Sequence, residues 1–287
     1  MGATILDRIL TRVRAEIEED RAKRPIEEVK AMLCDAPEVR GFAEQIAGGF
    51  GIIAEIKVKS PSQGLMRKEN VGEAPAAYEN SPVVRAVSIL TNRSDFGMSI
   101  ELLRDIRASI SKPVLRKEFI IDPYQVYEAR AFGADAVLLM TQRSTTGELQ
   151  HLHDLARELG MDVLVEAHTQ EEMERFPRGV RLVGLNSRDM LAPAGRYVLS
   201  RVVKALVGGR ADLSTAIRHF DRIDQLPNGA LRVAESGISS ASIRRIMELG
   251  YDAALVGSDL LLHRDGLSAA LAEYEKAIGS TGSVPLL

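Results

Sequence analysis

Ionisable and polar residues in this sequence gather at the last positions of short β-prone runs. Glu55 lies near the end of GIIAEI with Lys57 just after it, Glu166 is next to last in DVLVEA, and Lys117 closes PVLRK, Asn186 RLVGLN and Ser236 LRVAES. Carboxylates and ammonium groups brought together in this way can move protons to and from a bound molecule, because opposite charges tune each other's proton affinity. Glu55 and Lys57 stand two apart, so an extended strand places them on one face, while Ala54 and Ile56 take the other. One such residue could be an ordinary surface charge. Agreement among several run ends implies a shared site.

The elements that must position these groups follow from periodicity. After Gly51 the sequence predicts eight strands: 51–56, 86–90, 113–117, 134–140, 162–167, 181–186, 231–236 and 252–257. Between most of them lie amphipathic stretches such as PYQVYEARAFG, TTGELQHLHDLARELG and SASIRRIMELG, each ending in the glycine that caps a helix. Eight β-α units imply an α/β fold, a closed (βα)8 TIM barrel, whose chemistry sits at the C-terminal ends of the strands. Ile5, Leu6, Ile9, Leu10, Val13 and Ile17 form one stripe of an opening helix. A second helix, PIEEVKAMLCDA, starts with Pro25 at its first helical position, so residues 1–48 read as a helical cap on the barrel. The longest interval between run ends separates Asn186 from Glu235, which implies an insertion at 190–230 and an enlarged connection between strands six and seven. Residues 1–287 are then one barrel domain.

Composition narrows the function classes. A barrel of about 250 residues is routine as one unit, and 287 residues with 45% hydrophobic and 27% charged side chains can bury a large core and stay soluble. A formal charge of −3 and the lack of basic clusters with aromatic residues argue against nucleic acid. The charged N-terminal stretch contains no signal-peptide core or transmembrane run, so no membrane partner is expected. Cys34 is the single cysteine, which rules out an internal disulfide and suits a cytoplasmic location. His151, His153, His219 and His263 fall in helical or tail segments without metal-ligand spacing, and His168 reads as a polar residue on the loop after strand five. No metal site is expected.

The runs AEIKVKSPSQG, SILTNRSDFGMS, VLRKEFIIDPYQVYEAR, VEAH, GLNSRD, AESGI and LVGSDLL, in that order, together with LDRIL and RGFAEQI, resemble the indole-3-glycerol phosphate synthase family over nearly the whole chain. The resemblance implies a (βα)8-barrel carboxy-lyase of tryptophan biosynthesis that uses no organic cofactor. Its small-molecule partner is a phosphorylated anilino sugar, which it closes to an indole with loss of CO2 and water. It implies Lys117 as general acid at the sugar carbonyl and Glu166 as base of the dehydration, with Glu55 and Lys57 exchanging protons nearby. Asn186 belongs to the same set, and the division of labour between Lys57 and Lys117 stays open. Ser236, Gly237, Gly257 and Ser258 would hold the phosphate through backbone N–H groups, a common use of these two barrel loops. Ser60, Asn186 and Arg188 would hold the substrate's carboxylate, hydroxyls or phosphate, and Phe96 would lie on its aromatic ring.

Four features depart from the family pattern. Glu118 replaces the usual aspartate after Lys117, FGMS replaces a double-glycine form beside Phe96, YENSPVVRAVSIL stands where a Gly-Ala rich turn is customary, and the connection after strand six is longer. A paralogue cyclising a related amino-sugar phosphate is therefore an alternative, as is a non-catalytic barrel that binds phosphorylated metabolites. A sugar-phosphate isomerase would have no use for Lys57, Lys117 and Glu166 together. Sequence leaves monomer or homo-oligomer undecided.

Overall fold

The computed structural model describes residues 4–142, 144–188 and 218–279. Eight parallel strands close into a barrel: β1 (Gly51–Ile56), β2 (Val84–Leu90), β3 (Val114–Lys117), β4 (Ala136–Met140), β5 (Asp162–Ala167), β6 (Leu182–Asn186), β7 (Leu231–Glu235) and β8 (Ala253–Val256). Each pairs with its sequence neighbour, and β1 closes the ring by pairing Gly51 with Ala253. The expected (βα)8 TIM barrel is the observed fold. Strand limits differ from expectation by at most two residues, for local reasons. β3 starts after Pro113, which has no N–H to donate to the sheet. β7 stops at Glu235 because Ser236 adopts φ 70°, which turns the chain out of the sheet.

Alternation divides the barrel into two cores. Ile53, Leu115, Leu138, Leu164, Leu182, Val233 and Leu255 point inward and fill the barrel, whereas Ile52, Ala54, Ile56, Val163 and Val183 face the surrounding helices. Helix α1 (Ile5–Lys23) opens with a Thr4–Asp7 capping box and buries Leu6, Ile9, Leu10, Val13 and Ile17, as its stripe requires. Pro25 is the N-cap of α2 (Ile26–Ala31) rather than its first helical residue. Short helix α3 (Phe42–Ala47) inserts Phe42, Ala43 and Ile46 into the inner core and plugs the N-terminal end of the barrel. Asp135 and Asp162 hold the plug by accepting the backbone N–H groups of Arg40 and Ala43, both at 2.8 Å.

Outside the barrel run α4 (Lys68–Asn80), α5 (Arg93–Phe96), α6 (Ile100–Ser109), α7 (Pro123–Ala131), α8 (Thr146–Glu158), α9 (Gln170–Met173), α10 (Ile243–Glu248), α11 (Ser258–Leu261) and α12 (Leu267–Gly279). Gly133, Gly160 and Gly250 take positive φ at the ends of α7, α8 and α10, the role their positions suggested. Three ion pairs, Arg12–Asp95, Arg93–Asp20 and Arg21–Asp122, strap α1 across the connections that follow β2 and β3. Most of the connection expected at 190–230 lies outside the described residues. Its described end, 218–230, packs Phe220 edge-on against Tyr251 at 5.7 Å between ring centroids. No helix among the described residues is long and apolar enough to cross a membrane.

Candidate active site

The inward alternation of each strand continues to its C-terminal end, and there it changes from apolar to ionisable. Ile53 is followed two positions later by Glu55, Leu115 by Lys117, Leu164 by Glu166, and Val233 by Glu235. In register, Met140 pairs with Glu166, Glu166 with Gly184, and Asn186 with Glu235, so these groups form one polar layer over the apolar filling. Above it opens a cavity of about 510 Å³, lined by Glu55, Lys57, Phe96, Lys117, Glu166, Asn186, Arg188, Glu235, Ser236, Gly237, Gly257 and Ser258 among others. Leu90, Phe119, Leu138, Met140 and Ile238 supply its apolar wall.

Lys117 is the hub. Its Nζ donates to Glu166 Oε2 at 3.1 Å and to Glu235 Oε2 at 3.3 Å. Burial alone would lower its proton affinity, but the carboxylates of Glu166, Glu235 and Glu55 outweigh burial and raise its pKa. Glu166 and Glu235 share the Lys117 ammonium, and the two acids differ in proton affinity. Burial and the charge of Glu166 push the Glu235 carboxyl well above the carboxylate range, against the pull of Lys117. Glu166 is held low: burial opposes ionisation, but Lys117 and His168 prevail. Lys57 forms a short ion pair with Glu55. Burial, helped by Arg188 and Lys117, lowers the Lys57 pKa despite its partner, while Lys57 and Lys117 overcome burial to keep Glu55 low.

Close approach at two glycines makes this layer possible. A Cβ at Gly184 would collide with the Glu235 carboxyl, and one at Gly257 with that of Glu55. Ser236 carries the left-handed φ of 70° and is followed by Gly237 at the same angle, so the chain turns sharply after β7 where both residues line the cavity. Ser187 secures that turn, its N–H donating to Glu235 O and its Oγ to Ser236 O at 2.9 Å. The hydroxyls of Ser62 and Ser258 and the Glu235 Oε1 are buried in the lining without a hydrogen-bond partner among the described residues. Buried groups of this kind want a polar ligand.

Eleven of the twelve residues singled out from sequence line this one cavity; Ser60 does not. It sits in the ribbon formed by Lys59–Ser60 and Gly64–Leu65, where its Oγ accepts the Gln63 N–H at 3.1 Å, and Ser62 and Gln63 line the cavity instead. Phe96 lines the wall with its ring centroid 6.3 Å from that of Phe119. Asn186 turns its Oδ1 to the Arg188 N–H at 2.9 Å, which fixes the start of the following loop. Glu118, which follows β3 and also lines the cavity, accepts from Thr91 Oγ and Phe119 N at 2.9 Å. Sequence reading missed Glu235, although it stands two residues after the inward-facing Val233; the signal was the same alternation that marks Glu55. His168 is corrected as well. It is a buried residue between two carboxylates, with Nε2 at 3.5 Å from Glu166 Oε1 and Nδ1 at 3.3 Å from Glu172 Oε2, rather than a plain loop residue.

Comparison with known proteins gives a consistent result. The family profile described as Indole-3-glycerol phosphate synthase matches residues 6–192. A protein named indole-3-glycerol phosphate synthase from Mycolicibacterium smegmatis is 36% identical over 273 residues, 93% of this chain and 93% of that protein. One of the same name from Carboxydothermus hydrogenoformans is 38% identical over 220 residues, 76% of each chain. Another from Mycobacterium tuberculosis is 34% identical over 272 residues, 93% of this chain and 92% of that protein. With likeness of this extent, and a barrel mouth in which the family's ordered motifs meet, the chain belongs to the indole-3-glycerol phosphate synthase family.

Proposed function

We propose that this protein is an indole-3-glycerol phosphate synthase, a carboxy-lyase that converts 1-(2-carboxyphenylamino)-1-deoxyribulose 5-phosphate to indole-3-glycerol phosphate, CO2 and water in cytoplasmic tryptophan biosynthesis. The observation that carries this reading is the Lys117 ammonium bridging Glu166 and Glu235 on the floor of a cavity rimmed by the Ser236–Gly237 and Gly257–Ser258 turns. The phosphate belongs at those turns, where backbone N–H groups can approach it. The anthranilate ring belongs against Phe96 and the apolar wall, with Arg188 near its carboxylate.

In that pose Lys117 faces the sugar C2 carbonyl. As the ring carbon bearing the carboxylate attacks C2, Lys117 protonates the oxygen, which becomes a hydroxyl. Loss of CO2 returns an electron pair to the ring. The C2 hydroxyl then leaves as water, protonated by Lys57, whose lowered pKa makes it a readier proton donor and whose partner Glu55 orients it. Glu166 removes the proton whose loss completes the indole. When Lys117 turns to the substrate it withdraws from Glu166, and the carboxylate loses the main cation holding its proton affinity down. The acid step thus readies the base for the later one.

Purified protein incubated with the anilino-deoxyribulose phosphate tests the assignment by indole fluorescence and CO2 release. Both signals are expected to rise together in equal amounts. Tight binding of the sugar phosphate without either product would refute it.

A further inference from the structure

The two oxygens of Glu166 have different neighbours. Oε2 accepts from Lys117 on the cavity side, while Oε1 faces His168 Nε2, and neither His168 nor Glu172 lines the cavity. The far ring nitrogen, Nδ1, faces Glu172 Oε2 at 3.3 Å, and both ring contacts are ion-pair approaches without the geometry of a hydrogen bond. All three side chains are nearly inaccessible, at 3% for Glu166, 7% for His168 and 6% for Glu172. Glu172 is itself immobilised: it accepts the His168 backbone N–H at 2.7 Å and the Thr141 hydroxyl and Gln142 Nε2 at 3.2 Å each, and its own N–H donates to Thr169 Oγ. Thr141 Oγ also lies at 3.0 Å from the Glu166 carbonyl, so the same cluster holds backbone and side chain. From the described end of the β6–β7 connection, Arg222 Nη2 donates to the His168 carbonyl at 3.2 Å and to the neighbouring His219 ring. Glu166, Glu172, His219 and Arg222 are therefore the titratable or charged groups around this imidazole.

We propose that His168, anchored by Glu172, is a positioning residue that holds the Glu166 carboxylate in place when Lys117 leaves it for the substrate. This rests on the reading of Glu166 as the base. A carboxylate buried to this extent is costly once its ammonium partner departs, unless another ion-pair partner stays beside it. The ring is built to stay, because its orientation is set from the side that the substrate does not touch. A side chain that merely filled space would not require a carboxylate at each ring nitrogen, and the pair of acids also fixes which way the imidazole faces.

The test compares kcat, KM and the pH dependence of kcat for the parent, His168→Ala, His168→Gln, Glu172→Gln and Glu166→Gln. His168→Ala is expected to lower kcat about ten- to a hundredfold, the scale of a misplaced catalytic group, with KM within about twofold because the groups that bind substrate are untouched. The acid limb of kcat should move to higher pH, since His168 is one of the groups holding the Glu166 proton affinity down. His168→Gln, whose amide can reach toward Glu166 but carries no charge, should recover part of the rate while leaving the limb displaced. A parental kcat and acid limb in His168→Ala, beside an inactive Glu166→Gln, would overturn the positioning role alone. Parental turnover in Glu166→Gln would instead overturn the assignment of the base. If His168→Ala does not fold, Glu172→Gln carries the test: a shifted limb supports the role and an unshifted one overturns it.

Discussion

Replacing Lys117 by methionine keeps most of the aliphatic stem and removes the charge on which the layer turns. The ammonium stands 3.1 Å from one carboxylate oxygen and 3.3 Å from another. At an effective dielectric constant of about 20, a unit charge at that range is worth about 5 kcal/mol. An oxygen developing negative charge at the same place would lose stabilisation of that order, or three to four decades of rate at about 1.36 kcal/mol per decade. Part of it is offset by burial of the lysine, so the expected fall in kcat for Lys117→Met is about 10²- to 10⁴-fold. KM should change little, because the turns after β7 and β8 do not touch this side chain. The assay is steady-state indole fluorescence across a range of sugar phosphate, with melting curves to show that the variant is folded. A folded variant turning over within tenfold of the parent would refute both the role of Lys117 and the dielectric reasoning behind it.

Further outcomes follow from the same layer and from the barrel's other end. Raising pH through about 8 should ionise Glu235, adding a negative charge that repels the anionic substrate. kcat/KM should fall on that alkaline side, and a profile unchanged in Glu235→Gln would assign the fall to another group. Gly184→Ala should force the Glu235 carboxyl aside and cost about tenfold or more in kcat; wild-type kinetics would show that the carboxyl has room to give. Phe42→Ala should cost about 3–5 kcal/mol of stability with kcat nearly unchanged at low temperature, measured by denaturant unfolding, and a turnover loss without a stability loss would reverse that assignment.

The barrel was legible because its strands obey two periods at once, alternation within each strand and repetition of β-α units along the chain. Their ends were less so: the break after Glu235 depends on a left-handed serine, which no pattern of hydrophobicity marks. The site was legible as a set of strand-end residues, since parity alone sends Glu55, Lys117 and Glu166 to one interior. Glu235 obeys the same parity, but it stood beside Ser236, and attention to the phosphate turn hid the carboxyl one residue earlier. His168 and Ser60 were misjudged for a common reason. Each follows a strand end, where alternation no longer dictates direction and tertiary partners decide: Glu172 for the one, the Gln63 N–H for the other. Glu172 belongs to a helix of four residues, so its approach to His168 reflects a turn geometry that spacing does not encode.

The plug at the barrel's floor has a consequence for how the molecule comes into being. Helix α3 leaves the ribosome before any barrel strand, yet the aspartates that receive its backbone are 95 and 119 residues further along the chain. Contacts of such separation form late and slow the search for the native topology. Until β4 and β5 have been synthesised, Phe42 and Ile46 have no interior to occupy, and the nascent chain carries them exposed. Seating one of the earliest pieces of the chain therefore depends on contacts that reach across nearly half of its length, far from the chemistry.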